Sequence, residues 1–326
     1  MTLRVHFNQL RFPDGAKAFK ALLDPEITVS VGDEIPESAT FDILVHPHPG
    51  VDWIEASPNL RAIVIPWAGI PEDTRTVMAD YPDISVHNLH HNNYNTAELG
   101  FALLLAAAKR LIPKDQALRQ NDWTPRFEGP KAILLRGRTA LILGFGEIGQ
   151  ALADYCLGLG MHVIATKRRL EGFTQPPNVR VYPADQLHDL LPLADVLLVA
   201  LPLTDETEGL IGEHELALMP AGGILVNIGR GPVVQQEALY NALTSGHLRA
   251  AGSDVWYNYP KSSKAPKNTP PADVPFGKLD NFVLSPHRGG MVEDVESQRA
   301  EALARLLNAA NRGDPIPNRV DLDAGY

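Results

Sequence analysis

The sequence has 326 residues, which is long enough for two domains with a sizeable hydrophobic core. Hydrophobic residues make up 44% of the chain and charged residues 21%, a balance typical of a soluble globular protein. The 39 acidic residues outnumber the 29 basic ones and give a formal net charge of -10, which disfavours nucleic acid and anionic membranes as partners.

The same bulk features indicate a cytoplasmic protein. A single cysteine, Cys156, excludes an intramolecular disulfide and is typical of a reducing compartment. The start of the sequence has neither a long apolar run nor a small-residue cleavage site, so we expect no secretory signal. The most apolar helical stretch, "LGFALLLAAA", is too short to span a bilayer.

The predicted elements alternate between short apolar strands and helical patterns, which favours an α/β fold with parallel sheets. The first strands are predicted at "LRVHF", "ITVSV", "FDILVH", "LRAIVI" and "DISVHN". A long helix follows from near Asn95, and Pro113 is expected to disturb it. A second series of strands begins at "TALILG" and continues through "HVIAT", "VRVYP", "VLLVALP", "GILVNIG", "AAGSDVW" and "NFVLSP". A last helix is predicted from about Glu293 to Arg312.

A glycine-rich turn joins a strand to a helix in "TALILGFGEIGQALADYC". Gly144, Gly146 and Gly149 have the spacing that allows a tight turn, a close approach to a pyrophosphate and close packing of the helix on the strand. Glu147 and Ile148 begin the helix, whose free N–H groups can bind phosphate. The turn therefore predicts a dinucleotide site, although a tight turn without a ligand is the alternative interpretation.

Cations stand where the next strand ends, at the position where an acidic residue usually binds the ribose of NAD. The segment "TKRR" places Thr166, Lys167 and Arg168 there, followed by Arg169. Because Lys and Arg pair with phosphate, we predict that NADP(H) is preferred and that NAD(H) is possible. The alternative is that these are solvated surface cations.

Three later strands each end in a residue with catalytic chemistry. Arg230 follows "VNIG", Asp254 follows "AGS", and His287 follows "LSP". The carboxyl ends of parallel strands open on a ligand crevice, so these side chains are candidates for one site. An arginine that binds a carboxylate and polarises a carbonyl, with a histidine that protonates the oxygen, suits reduction of a 2-oxo acid by a nicotinamide cofactor.

With these segments in order, the sequence resembles the D-isomer-specific 2-hydroxyacid dehydrogenase family. The resemblance rests on "NTAELGFALLLAAAKR", "LGFGEIGQALA", "ALPLTDETEGLIG", "MPAGGILVNIGRGPVV", "DVW" and "SPH", and it covers nearly the whole chain. It implies two Rossmann-like domains, with a cofactor domain (residues 101–290) inserted into a substrate domain (residues 1–100 and 291–326). It also implies a homodimer that forms through the cofactor domain.

The resemblance also assigns roles to individual residues. Arg230 would bind the substrate, His287 would be the acid and base, and Asp254 would lie near the nicotinamide. Further residues of the matching segments are expected to contact the cofactor: Leu201, Pro202, Thr207 and Ile228. Ala68 and Gly69 match the loop whose backbone amides hold the substrate carboxylate. Trp67 could line the substrate pocket or could belong to the core, and His91 is expected to contact the substrate because its segment should face the active site.

One position departs from the family pattern in a way that matters chemically. The family places Glu, as a partner of the catalytic histidine, where this sequence has Tyr259. We hypothesise that His287 depends on Tyr259 or Asn258 instead, and that reduction loses rate at a lower pH than with Glu. The adjacent His90 and His91 could be metal ligands, but no third ligand is evident, so no metal is expected.

Two other classes of function stay open at this point. Formate and phosphite dehydrogenases resemble this family, but formate dehydrogenases carry Gln where Tyr259 stands. Some relatives are transcriptional corepressors that bind the cofactor without turnover. Arg230 and His287 favour an enzyme, and the identity of the 2-oxo acid does not follow from the sequence.

Overall fold

The computed structural model describes residues 2–9, 15–262, 266–322 and 325. In chain order the strands are β1 (Arg4–Phe7), β2 (Thr28–Val31), β3 (Ile43–Val45), β4 (Ala62–Val64), β5 (Ser85–His87), β6 (Thr139–Leu143), β7 (His162–Lys167), β8 (Val179–Pro183), β9 (Val196–Val199), β10 (Gly223–Asn227), β11 (Leu248–Ser253) and β12 (Phe282–Leu284). Each lies within or overlaps a predicted strand.

The α-helices occupy the intervals between the strands, as parallel pairing requires. In chain order they are α1 (Gly15–Lys20), α2 (Val51–Glu55), α3 (Glu72–Met78), α4 (Asn93–Lys109), α5 (Leu111–Arg119), α6 (Thr124–Phe127), α7 (Glu147–Gly158), α8 (Leu187–Leu190), α9 (Glu213–Leu218), α10 (Gln236–Thr244) and α11 (Val295–Arg312). Among the described residues, no helix is long and apolar enough to cross a lipid bilayer.

The chain divides into two compact units. The discontinuous unit comprises Met1–Asn92 and Met291–Tyr326, and the inserted unit comprises Asn93–Gly290. The first boundary lies before α4, eight residues earlier than the expected boundary at residue 100, because α4 packs on α7, β10 and β11 of the inserted unit. The predicted fold class, two parallel-sheet α/β domains, is confirmed.

The inserted unit is built on a seven-stranded parallel sheet in the order β12-β11-β10-β9-β6-β7-β8. The chain runs from β6 outward to β8 and then returns to β9, on the other side of β6. The chain therefore leaves the carboxyl ends of β6 and β9 in opposite directions along the sheet. Such a switch point is where open α/β sheets bind ligands. Apolar side chains cover both faces, so β9 and β10 are buried along their whole length.

The discontinuous unit has a five-stranded parallel sheet in the order β2-β1-β3-β4-β5. One face is covered by α11, whose Leu303, Leu306 and Leu307 pack in one cluster with Val5 and Phe7 of β1. Burying each of these side chains stabilises the unit by roughly 1.5–3 kcal/mol. The C-terminal helix is thus part of this hydrophobic core rather than an appendage.

The helical pattern near Pro113 is interrupted at a different residue from the one expected. Arg110 has φ 50° and ψ 48°, a left-handed conformation that ends α4 at Lys109 and starts α5. Pro113 lies in the first turn of α5, where backbone N–H groups have no partner within the helix. The proline is tolerated there, and the left-handed residue breaks the helix.

Candidate active site

The glycine loop follows β6 at the switch point of the inserted sheet. Gly144 has φ 94°, a conformation that favours glycine, and a Cβ there would lie 2.9 Å from the carbonyl oxygen of Ala200. A Cβ at Gly149 would lie 2.0 Å from the carbonyl oxygen of Gly144, so only glycine lets α7 pack this closely. A Cβ at Gly146 would meet no atom within 4 Å. The loop thus has the open face and the exposed helix start that a pyrophosphate needs.

The predicted residues at the start of α7 lie beside this loop. Glu147 is the first helical residue, and its carboxylate accepts a hydrogen bond from Asn93 at 3.2 Å. Ile148 follows and packs partly buried against the core.

The cationic segment at the end of β7 lies against the glycine loop. The ammonium of Lys167 donates to the carbonyl of Phe145 at 3.2 Å and lies 5.3 Å from the centre of the Phe173 ring. A positive charge is therefore held at the middle of the loop. Arg168 is exposed next to it.

Thr166 plays a different part from the two cations. It is 4% exposed, and its carbonyl accepts hydrogen bonds from the N–H groups of Gly144 and Phe145. Its backbone therefore joins β7 to the glycine loop, while its side chain is largely withdrawn from solvent.

A second loop leaves the switch point after β9. The hydroxyl of Thr207 donates to the carbonyl of Pro202 at 2.7 Å and accepts from the N–H of Thr204 at 2.8 Å, which folds the loop on itself. Leu201 lies beside the glycine loop, with its side chain 3.1 Å from a Cβ built at Gly144. Ile228, at the end of β10, is buried.

Two glycines fix the backbone on both sides of Arg230. A Cβ at Gly229 would lie 2.3 Å from the carbonyl oxygen of Leu201, and one at Gly231 would lie 2.3 Å from that of Trp256. The buried Asn227 donates to the carbonyl of Arg230 at 2.9 Å and accepts from the N–H of Gly229 at 3.1 Å. The guanidinium of Arg230 donates to the carbonyl of Gly229 at 2.8 Å, and burial lowers its pKa.

The loop that carries His287 is built around the carboxylate of Asp254. Asp254 is only 2% exposed and accepts hydrogen bonds from the hydroxyl of Ser285, the N–H of Arg288 at 2.8 Å and the N–H of Gly289 at 2.7 Å. The indole of Trp256 donates to the carbonyl of Ser285 at 2.7 Å. These bonds hold His287 at φ 57°, a conformation that is unfavourable for residues other than glycine.

His287 and Tyr259 form a hydrogen-bonded pair. The phenol oxygen of Tyr259 lies 2.9 Å from Nδ1 of His287 and accepts the backbone N–H of Trp256 at 3.0 Å. Asn258, the other candidate, donates to Asp273 at 2.9 Å. Because Nδ1 of His287 is bonded to Tyr259, Nε2 is the ring nitrogen that remains for a substrate.

The surroundings keep His287 neutral at ordinary pH. Burial lowers the pKa of the imidazole, the positive charge of Arg230 lowers this pKa further, and Asp254 opposes them in part. Burial raises the pKa of the Tyr259 phenol, so this partner carries no negative charge. The imidazole of His287 therefore becomes protonated, and able to act as a proton donor, only as the pH falls.

The predicted substrate residues of the discontinuous unit lie in two segments. Trp67 is exposed, and Ala68 accepts the side-chain amide of Asn88 at 2.7 Å through its carbonyl. In the described part of the chain, the N–H groups of Ala68 and Gly69 have no hydrogen-bond partner. Such free amides can bind a carboxylate, and their role stays a prediction.

His91 lies in the second segment and is partly buried. Burial first, then the charges of Arg299 and His90, lower its pKa to about 4, so it is neutral near pH 7. Its Nδ1 is buried and has no hydrogen-bond partner among the described residues. This neutral polar atom is available to a ligand, and its contact with a substrate also stays a prediction.

Several residues that support the site were not singled out from the sequence. Asn227 and Ser285 lie at strand ends, and Phe145 contributes a backbone carbonyl. A polar residue at the end of an otherwise apolar strand is a weak signal that could have indicated Asn227. No sequence signal marks the carbonyl of Phe145.

Comparison with known proteins places this fold in a family. Residues 101–289 match the family model described as "D-isomer specific 2-hydroxyacid dehydrogenase, NAD binding domain". A glyoxylate reductase of Korarchaeum cryptofilum is 39% identical over 230 residues, which are 69% of this chain and 65% of that protein. The match thus spans slightly less than two thirds of that relative.

A second relative and a solved structure extend the match. A glyoxylate reductase of Thermococcus onnurineus is 33% identical over 282 residues, covering 82% of this chain and 78% of that protein. The crystal structure of a D-isomer specific 2-hydroxyacid dehydrogenase from Xanthobacter autotrophicus Py2, in complex with NADPH and MES, has a TM-score of 0.78. It covers 100% of both chains at 23% identity, which is evidence for the fold alone.

The packing at Gly149 predicts a strong effect of a single methyl group. We expect Gly149→Ala to lower the free energy of unfolding by about 1–3 kcal/mol, because the Cβ meets a backbone carbonyl that cannot rotate away. Gly158→Ala is the matched control, since a Cβ at this position of the same helix meets no atom within 4 Å. Urea unfolding of both variants checks this, and equal stabilities would contradict the close packing.

Proposed function

The chain belongs to the D-isomer specific 2-hydroxyacid dehydrogenase family, and we propose that it reduces a small 2-oxo acid to the D-2-hydroxy acid with NADPH. The observation that carries the proposal is the Tyr259–His287 pair within the electrostatic reach of Arg230. The glyoxylate reductases among its relatives favour a small substrate. The reverse oxidation uses the same groups.

Arg230 and His287 divide the chemistry between them. The planar guanidinium suits a carboxylate geometrically, and its charge polarises the neighbouring carbonyl. The glycine loop after β6 and the cations at the end of β7 would hold NADPH, which would supply the hydride for the carbonyl carbon. Protonated His287 gives a proton from Nε2 to the carbonyl oxygen, so the carbonyl becomes a hydroxyl and the imidazole becomes neutral.

Tyr259 acts as a positioning residue for His287. Its O–H can donate to Nδ1 of the neutral imidazole, and its oxygen can accept from the Nδ1–H that protonation creates. The phenol thus holds the ring in both protonation states but, unlike a carboxylate, does not favour the protonated one by charge. The rate of reduction should therefore need a lower pH than it would with a glutamate at position 259, because His287 has to be protonated.

The preference for NADPH rests on the cations at the end of β7. Lys167 is held at the glycine loop and Arg168 lies exposed beside it, so both are near the place where the end of this strand meets the ribose in dinucleotide folds. A 2′-phosphate would find two cations and no acidic side chain in the segment 166–169. NAD(H) would lose these charge-assisted bonds.

A homodimer that forms through the inserted unit is supported by an exposed apolar segment. Between residues 111 and 134 several large hydrophobic side chains face solvent: Leu111, Ile112, Leu118, Trp123, Phe127 and Leu134. Large exposed apolar surfaces often mark protein–protein interaction sites. A second copy of this chain is the occupant we propose.

Turnover with a panel of 2-oxo acids tests the proposed function. We expect loss of NADPH absorbance with glyoxylate or a similarly small 2-oxo acid, and a kcat reduced about 100-fold to 10,000-fold in His287→Asn because the proton donor is gone. Arg230→Lys should also raise KM, since the bidentate contact is lost. Binding of both cofactors without turnover of any 2-oxo acid would contradict the proposal and favour a binding module, and turnover of formate or phosphite alone would favour that class.

Charge reversal at the end of β7 tests the cofactor preference. Lys167→Asp should lower the ratio of kcat/KM for NADPH to that for NADH by about 10-fold to 100-fold, because one charge-assisted bond is worth about 1.5–3 kcal/mol. Arg180→Asp, an equal charge change at an exposed position of β8, is the control and should leave the ratio nearly unchanged. A wild-type preference for NADH would refute the assignment.

The pH dependence of reduction tests the part assigned to Tyr259. His287 has a lowered pKa, so the rate should be highest at acid pH and should fall as the pH rises through this pKa. Tyr259→Glu should move the alkaline limb of kcat upward, because a negative charge favours the imidazolium. Tyr259→Phe should lower kcat without moving the limb upward. A wild-type limb already at alkaline pH would argue against this role.

Light scattering coupled to size-exclusion chromatography tests the dimer. Phe127→Glu places a charge in the apolar segment and should shift the protein toward monomer. Leu193→Glu is the matched control, because Leu193 is 58% exposed and lies outside this segment. A wild-type protein that is monomeric at micromolar concentration would refute the proposal.

A further inference from the structure

Three side chains of metal-binding type meet on the inserted unit, away from the residues assigned to catalysis. His188 lies on α8, and His214 and Glu215 lie in the first turn of α9. One nitrogen or oxygen atom from each lies within 4.8 Å of the others. We propose that this cluster, the His188–His214–Glu215 site, binds a divalent transition-metal ion and that Zn²⁺ is its best chemical match.

The carboxylate of Glu215 is already positioned for such an ion. Its Oε2 accepts the backbone N–H of Gly212 at 3.0 Å, while its Oε1 lies 2.9 Å from Nε2 of His188. With bonds of about 2.0–2.1 Å, the ligands of a tetrahedral zinc ion lie roughly 3.3 Å apart. A small outward movement of the His188 ring would therefore place an ion between these two atoms.

His214 provides the third ligand from the first turn of α9. The two rings are 5.3 Å apart with an interplanar angle of 84°. Both histidines are exposed, so an ion could reach their nitrogens without opening the core. Two imidazoles, one carboxylate and a water molecule form a common tetrahedral zinc set.

The charges around the cluster favour a cation. Asp189 and Glu213 are exposed on the same two helices and add negative charge. No acidic residue of this group is needed by the proposed reductase chemistry.

The site would link two segments that are distant in sequence. His188 and Glu215 are 27 residues apart, and the interval contains β9 and the loop with Leu201, Pro202 and Thr207. A bound ion would link the two ends of this interval, because His188 and Glu215 would both bind it. We therefore expect metal binding to stabilise the inserted unit against unfolding.

Titration of the chelator-treated protein with ZnCl₂ tests the site. Isothermal titration calorimetry should detect one ion per chain with a Kd of about micromolar or tighter, and saturating Zn²⁺ should raise the melting temperature by about 5 °C. His188→Ala, His214→Ala and Glu215→Gln should each weaken binding at least about tenfold. Gln at position 215 keeps an acceptor for Gly212, so this variant should still fold.

Two controls separate this site from other histidines. His162→Ala removes an exposed histidine of β7 and should leave the affinity unchanged. His287→Asn should also retain the ion, because its imidazole belongs to the catalytic pair. Co²⁺ in the wild-type protein should give the intense visible bands of four-coordinate geometry. Millimolar affinity, or binding that survives the double variant His188→Ala/His214→Ala, would overturn the proposal.

Discussion

A single buried carboxylate determines the geometry of the candidate active site. Asp254 accepts three hydrogen bonds from the loop of residues 285–289 and so holds His287 in a left-handed conformation. A buried charge of this kind is tolerated only when hydrogen bonds compensate its lost hydration. These hydrogen bonds thus compensate the buried carboxylate of Asp254 and also fix the position of the His287 imidazole. They offset the backbone strain at His287.

The pair formed by His287 and Tyr259 gives this chain a different electrostatic balance from one with a glutamate. Arg230 contributes a positive charge near the imidazole, and the neutral phenol does not offset it. Binding of an anionic substrate at Arg230 would itself bring the missing negative charge to the site. Substrate binding and protonation of His287 are then coupled, because each favours the other.

The sequence predicts those parts of the site that depend on local backbone geometry. The Gly144 turn and the approach of Gly149 follow from spacing alone, and the strand ends place Arg230 and His287 on one edge. The contact of Tyr259 with His287 joins residues 28 positions apart and depends on two loops, although the departure from the family pattern indicated it. The burial of Thr166, the left-handed Arg110 and the carbonyl of Phe145 depend on tertiary packing, which has no local signature.

The division of one unit into two chain segments has a consequence for synthesis. The last strand of the discontinuous unit, β5, leaves the ribosome about 200 residues before α11, which supplies Leu303 and Leu307 to the core of this unit. At about 5–20 residues per second, this delay lasts about 10–40 s. During that interval the apolar face of β1, with Val5 and Phe7, lacks its covering helix, so the nascent chain is the state most in need of chaperone protection.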